Sequence, residues 1–331
     1  MSSQSVISGA LWNLGHSNFV DDEFNYRLTA AEWQEQFARM EELEFRWLLF
    51  FMGVRECMAR SAAVGPDLLD YLLSECDRRG IRALVSVGGS NLWWKDFTPE
   101  RELKELERTI PEIDRRYGRH PSFAGWYLPY EIFMPRGWCG RIGQLYRGAV
   151  ELCKALTPEL PVMVSPFYLP DTSGKVLDFV HSKPEEYVDA WTELLTEARI
   201  DILLLQDNGG QHLSCFTDAD NRPYIEVFAT ACRRTGTRFW GNVELGELKT
   251  ASVEALVAKY GPKIDVNSPV CRSDWGPVPP ARLREKLNLI ASYSELNLSW
   301  GYREFYRPDR SEESRLAYLE YRNDLRTGRP L

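Results

Sequence analysis

Two glutamates stand where an apolar run would ordinarily continue. Glu131 closes the aromatic stretch FAGWYLPYEI (123–132), and Glu244 sits in GNVELGE (241–247). Carboxylates brought to one cleft can serve as proton donor and proton acceptor. Joined by Asp207 and Glu304, they could instead hold a divalent ion, as carboxylate-rich sugar isomerase barrels do. Taken singly, an acid at a strand end is also an ordinary helix cap or solvated loop residue. Asp207, in QDNGG (206–210), is equally ordinary turn chemistry. His16 and His212 follow the first and sixth strand-like runs, where a ligand-binding role would be natural. The chain has only 4 histidines, without HxH or HExxH spacing, so no zinc site and no cofactor is expected. No GxSxG elbow marks a serine nucleophile. Aromatic residues are abundant: 11 Trp, 15 Tyr and 15 Phe. Trp12, Trp93, Trp94 and Tyr168 fall after or within strand-like runs, where a ring face could lie against a sugar or simply pack beneath a loop.

These residues need a frame that brings them together. Short β-rich runs cover 6–14, 44–52, 81–89, 123–131, 161–169, 201–209, 238–245 and 296–305, and stretches of helical period separate them. Thr29 and Glu32 form a capping box before Trp33, Phe37 and Met40, which share one helical face. Thr98-Pro99 opens another helix, and Gly80 closes the one beginning near Pro66. Eight strands alternating with seven helical regions predict an α/β fold, a single (β/α)8 TIM barrel with elaborated βα loops, over residues 1–331 as one domain. A doubly wound open sheet would want a glycine-rich phosphate loop after its first strand, and NLGHSN (13–18) is not one. The segment 261–279 reads as a long loop able to hide a strand.

Barrels of this kind gather function at the C-terminal strand ends. That rule places Glu131 after strand four, Glu244 after strand seven, and Gln206 with Asp207 after strand six. Strand seven alternates Phe239, Gly241, Val243 and Leu245 against Trp240, Asn242 and Glu244, so the second set should face the barrel. A net charge of −8 without long Lys/Arg runs argues against a nucleic-acid groove. No stretch approaches 18 apolar residues and no signal peptide is evident, so a cytoplasmic protein without membrane contact is expected. An odd count of 7 cysteines without a CxxC pair fits reduced thiols in that compartment.

The motifs GWYLPYE (125–131), LLLQD followed by GG (203–210), WGNVE (240–244) and WGYREFYRP (300–308) resemble those of a poorly characterised bacterial glycoside-hydrolase-like TIM-barrel family. The resemblance spans roughly residues 5–308 and implies a barrel with a sugar-linked role. More distantly, the chain is similar to retaining glycosidases with catalytic glutamates on strands four and seven. Carried across, Glu131 becomes the acid/base, Glu244 the nucleophile, and Trp300 the aromatic beneath the sugar. Those enzymes place Asn before the acid/base; this chain has Tyr130. The resemblance thus implies a hydrolase acting on an oligosaccharide or small glycoside. On the residues themselves, Tyr127 and neighbouring aromatics could raise the Glu131 pKa by desolvation, and Asn242 and Tyr302 could hold Glu244 ionised by hydrogen bonds. A non-catalytic carbohydrate-binding barrel and a metal-dependent isomerase are the alternatives.

Overall fold

The computed structural model describes residues 6–90, 95–133, 139–177, 182–207 and 212–327. Trp93 and Trp94 lie outside them. Ten strands occur in these segments: β1 (Gly9–Asn13), β2 (Trp47–Phe51), β3 (Arg82–Ser86), β4 (Phe123–Leu128), β5 (Val162–Val164), β6 (Ile202–Gln206), β7 (Arg238–Asn242), β8 (Gly246–Leu248), β9 (Trp275–Pro277) and β10 (Leu296–Ser299). The helices are α1 (Phe24–Arg27), α2 (Ala30–Glu42), α3 (Val54–Ala59), α4 (Leu68–Arg79), α5 (Pro99–Tyr117), α6 (Cys139–Leu156), α7 (Pro184–Ala198), α8 (Asp218–Thr235), α9 (Val253–Tyr260), α10 (Pro280–Ile290) and α11 (Glu312–Thr327). None is long and apolar enough to cross a membrane.

Eight of the strands close a parallel barrel in the order β1-β10-β7-β6-β5-β4-β3-β2. This is the (β/α)8 fold the alternation predicts. The strands are buried on both faces because helices cover the outside and side chains fill the inside. Leu11, Leu49, Leu84, Met163, Leu204 and Leu298 meet inside. Near the N-terminal end, Trp47 and Trp240 pack edge to face, with ring centroids 5.1 Å apart at 75°, a favoured geometry for two aromatic quadrupoles. The second layer, between strands and helices, holds most of the remaining apolar side chains.

The local signals act as expected. Thr29 and Glu32 form the reciprocal capping box of α2, and Gly80 ends α4 with φ 64°, in the left-handed region that favours glycine. The segment after β7 is the main elaboration. There β8 and β9 pair antiparallel, Gly246 opposite Pro277, with α9 between them. Residues 261–279 thus contain a strand of three residues. The last barrel strand is shorter than its apolar run, because Tyr302–Tyr306 coil into one π-helical turn.

Candidate active site

The inward phase of β4 is set by a bulge. Ala83 pairs with Phe123 but Leu84 with Gly125, so the ladder slips by one residue. Ala124 and Tyr127, three residues apart, consequently both face the interior, while Trp126 turns outward and donates from Nε1 to Thr157 Oγ1 at 2.8 Å. Only glycine fits at the slip: a Cβ on Gly125 would lie 2.8 Å from both Leu84 Cδ2 and the Pro161 carbonyl oxygen. Beyond the strand, Glu131 comes to rest over Tyr127, whose hydroxyl donates to its Oε1 at 2.8 Å. Gln206, at the end of β6, donates from Nε2 to Glu131 Oε2 at 3.2 Å and to the Ser165 carbonyl at 3.3 Å.

The surroundings push the Glu131 carboxyl above the usual carboxylate range. Burial is the main cause; the hydrogen bonds from Tyr127 and Gln206 pull it partly back, and the charge of Glu244 adds to the rise. A carboxyl so placed holds its proton further toward neutral pH than an exposed one. Glu131 also lines a cavity of about 670 Å³ at the C-terminal mouth, together with Asn13, His16, Asp22, Phe51 and Met52. His16 is exposed there, and its Nδ1 lies 2.9 Å from Asp22.

Glu244 is enclosed, with 1% of its surface exposed. Its Oε2 lies 2.6 Å from His212 Nδ1, a contact that requires one proton between them. His212 packs against both Trp275 and Trp300, with ring centroids at 5.2 and 5.6 Å. Trp300, at the end of β10, therefore stands beside the partner of Glu244. Asn242 faces inward, and its Oδ1 accepts the Trp300 backbone N–H at 2.8 Å. The phase expected for β7, with Trp240 inside and Phe239, Val243 and Leu245 outside, is observed.

The Glu244 peptide is gripped from behind the barrel wall. Its N–H donates to Asp207 Oδ1 at 3.2 Å, and Lys286 Nζ on α10 donates to its carbonyl at 2.6 Å. Lys286 and Asp207 are themselves an ion pair at 3.2 Å, both almost fully buried. Burial drives the Asp207 carboxyl up to about 6, with the Lys286 charge opposing the rise.

Several expected substrate contacts are thereby corrected. Asp207 points away from the cleft and holds Glu244 and Lys286 instead. Trp12 lies in the outer layer, donating from Nε1 to Asn25 Oδ1 at 3.1 Å and packing on Trp33. Tyr302 is in the same layer, against Trp12 and Phe45, and does not hydrogen bond Glu244. Tyr168 stacks on Tyr224 at 4.7 Å, and its hydroxyl donates to the Asp207 carbonyl. Tyr130 turns toward α5, where its hydroxyl donates to Glu102 Oε2 at 3.3 Å. Glu304 is paired with Arg303 at 2.8 Å. Glu131, Asp207, Glu244 and Glu304 therefore do not converge as one set. Among the described residues no group of three or more His, Cys, Asp or Glu side chains could hold a metal ion. The His212–Glu244 contact and the role of Lys286 have no counterpart among the sequence-based expectations. The latter left a trace: Lys286 interrupts the apolar stripe Leu283, Leu287, Ile290 of α10.

The chain belongs to a family described as a domain of unknown function, DUF4434, whose model matches residues 7–311. That agrees with the resemblance to a poorly characterised family of barrels. No curated protein matches the sequence. Among solved structures, a candidate alpha-L-fucosidase from Bacteroides thetaiotaomicron superposes with a TM-score of 0.72 at 17% identity, covering 98% of this chain and 94% of the other. Xylanase 10B from Thermotoga maritima gives 0.54 at 13% identity over 99% and 98%. The catalytic domain of the major endoglucanase from Xanthomonas campestris pv. campestris gives 0.53 at 13% identity over 91% and 90%. At these identities the likeness is one of fold.

Proposed function

We propose that this member of the DUF4434 family is a glycoside hydrolase, acting as one barrel domain on an oligosaccharide or small glycoside with retention of configuration. Glu131 is the general acid/base and Glu244 the nucleophile. The observation that carries this reading is the contrast between the two acids. Glu131 faces the mouth cavity with its carboxyl raised by burial, whereas Glu244 is fixed through backbone and side chain. Two carboxyls with separate surroundings are what proton donation and nucleophilic attack require. The fold shared with the endoglucanase and the xylanase supports the same reaction class.

In the first step a Glu244 oxygen attacks the anomeric carbon while the glycosidic C–O bond breaks and Glu131 gives its proton to the leaving oxygen. In the second, Glu131 takes a proton from water, whose oxygen displaces Glu244 from the sugar. His212, with its proton on Nδ1, holds one Glu244 oxygen and leaves the other for attack. Tyr127 and Gln206 fix the Glu131 carboxyl over the cavity.

A panel of chromogenic aryl glycosides and neutral oligosaccharides tests the proposal. Glu244→Gln is expected to lower turnover on the order of 10³-fold or more, the scale of losing a covalent nucleophile. Glu131→Gln should cost about 10²–10⁴-fold on substrates with poor leaving groups, and added azide should restore part of that rate as a glycosyl azide. Unchanged rates in both variants would remove the mechanism. A folded parent protein that binds sugars and hydrolyses none would instead be a carbohydrate-binding barrel.

A further inference from the structure

We infer that the cleft carries a second sugar subsite centred on Met52, which receives the neighbouring ring of a neutral oligosaccharide. This rests on the glycosidase reading and adds where the chain beyond the scissile bond lies. Met52 directly follows β2 and is 48% exposed, one of few large apolar side chains left open among the described residues. Its backbone is left-handed, φ 50°, and Gly53 follows at φ 62°. Residues other than glycine avoid this region and are held there only where the surroundings dictate it.

The surroundings here are a loop crossing. A Cβ on Gly53 would lie 2.6 Å from the Gly15 nitrogen, and one on Gly15 would lie 2.9 Å from the Gly53 nitrogen. The loops after β1 and β2 thus touch backbone to backbone, and the strained turn presents Met52 to the cleft. Two cavities meet at that side chain. The one of about 670 Å³ reaches Glu131; a second of about 450 Å³ runs over the end of β3, by Ser86 and Gly88. Met52, Gly53, Glu56 and Pro129 wall both. The two cavities therefore adjoin at Met52, and one of them reaches the acid/base.

An unbranched, polarisable thioether suits the C–H face of a pyranose and adapts to its outline. Charge narrows the ring type. The arginines of the described walls are already paired, Arg60 with Glu23 and Arg55 with Glu105, and the His16 ring lies against Asp22. Glu56 adds a carboxylate to the walls of both cavities. Among the described residues of these walls a uronate would meet like charge and no unpaired arginine, so the subsite fits a neutral ring.

The test uses Glu131→Gln protein with methyl-¹³C methionine, which gives few signals because the chain has 6 Met. The Met52 signal is identified with Met52→Leu. Cellotriose, xylotriose and trigalacturonate are titrated in turn. The Met52 methyl is expected to shift saturably with at least one neutral trisaccharide and not with trigalacturonate. Met52→Ala should weaken that trisaccharide about tenfold, the scale of one apolar contact, and the parent monosaccharide much less. Neutral trisaccharide binding seen by calorimetry without a Met52 shift, or equal binding of trigalacturonate, would overturn the subsite. So would no binding by any of the three. Aryl glycoside hydrolysis by the parent protein is measured separately: hydrolysis with a silent Met52 sinks the subsite alone, whereas loss of both sinks the glycosidase reading too.

Discussion

In the proposed reaction Tyr127 tunes the group that gives the proton. Its hydroxyl donates to the Glu131 carboxylate, which favours the charged form and opposes the rise that burial imposes. Tyr127→Phe removes that bond, so the Glu131 pKa should rise further. A general acid works only while protonated, so the basic limb of kcat/KM against pH should move to higher pH; a move to lower pH, or none, would remove Tyr127 from this role. That Glu131, Glu244 and Gln206 stand at or just past strand ends was legible in the sequence, because a polar group that closes an apolar run is costly to bury unless a partner at the strand end receives it. Trp12, Tyr168 and Tyr302 were not. A large ring satisfies a strand-like run whether it faces the cleft or the helix layer, and all three face the layer. His212 was placed after β6 correctly, but its contact with Glu244 joins residues 32 apart, and local sequence carries no sign of it.

At the scale of elements, α10 is fastened to the end of β7 by a charge. Lys286 bonds the Glu244 carbonyl and pairs with Asp207. Lys286→Met would leave Asp207 buried without its partner, a loss of about 3–5 kcal/mol. Urea unfolding should show that loss, and adding Asp207→Asn should recover part of it, since Asn removes the stranded charge and keeps an acceptor for the Glu244 N–H. A double variant no more stable than the single would mean that the pair is not coupled. All eight barrel strands were legible as β-rich runs between helical stretches. Their ends were less so. The run 296–305 overshoots β10 because Tyr302–Tyr306 remain buried and largely aromatic while leaving the ladder for a π turn. The slip at Gly125 was invisible, since a bulge changes pairing without changing composition. The three-residue β9 is too short for periodicity to show, and only its pairing with β8 defines it.

At the scale of the molecule, the barrel was legible because alternation of element types leaves few ways to bury every strand on both faces. What alternation does not say is how the ring is joined. The first and last barrel strands share only the register Gly9 to Leu298 and Ala10 to Ser299. Further stitches reinforce this seam: Ser8 N–H donates to the Asn297 carbonyl at 2.7 Å, and Ile7 N–H to the Tyr321 hydroxyl on α11 at 2.9 Å. Bonds across nearly the whole chain length are slow to form, because the closing loop must lose its freedom first. During synthesis, β1 must therefore wait with one edge unpaired until β10 has left the ribosome. Unpaired edges recruit other strands, so a chain stopped before residue 296 is expected to sediment with insoluble material, and one extending through α11 to remain in the supernatant. The interval between the two ends of the seam then matters to folding as much as the contacts within it, and slower growth of the nascent chain prolongs the exposure rather than relieving it.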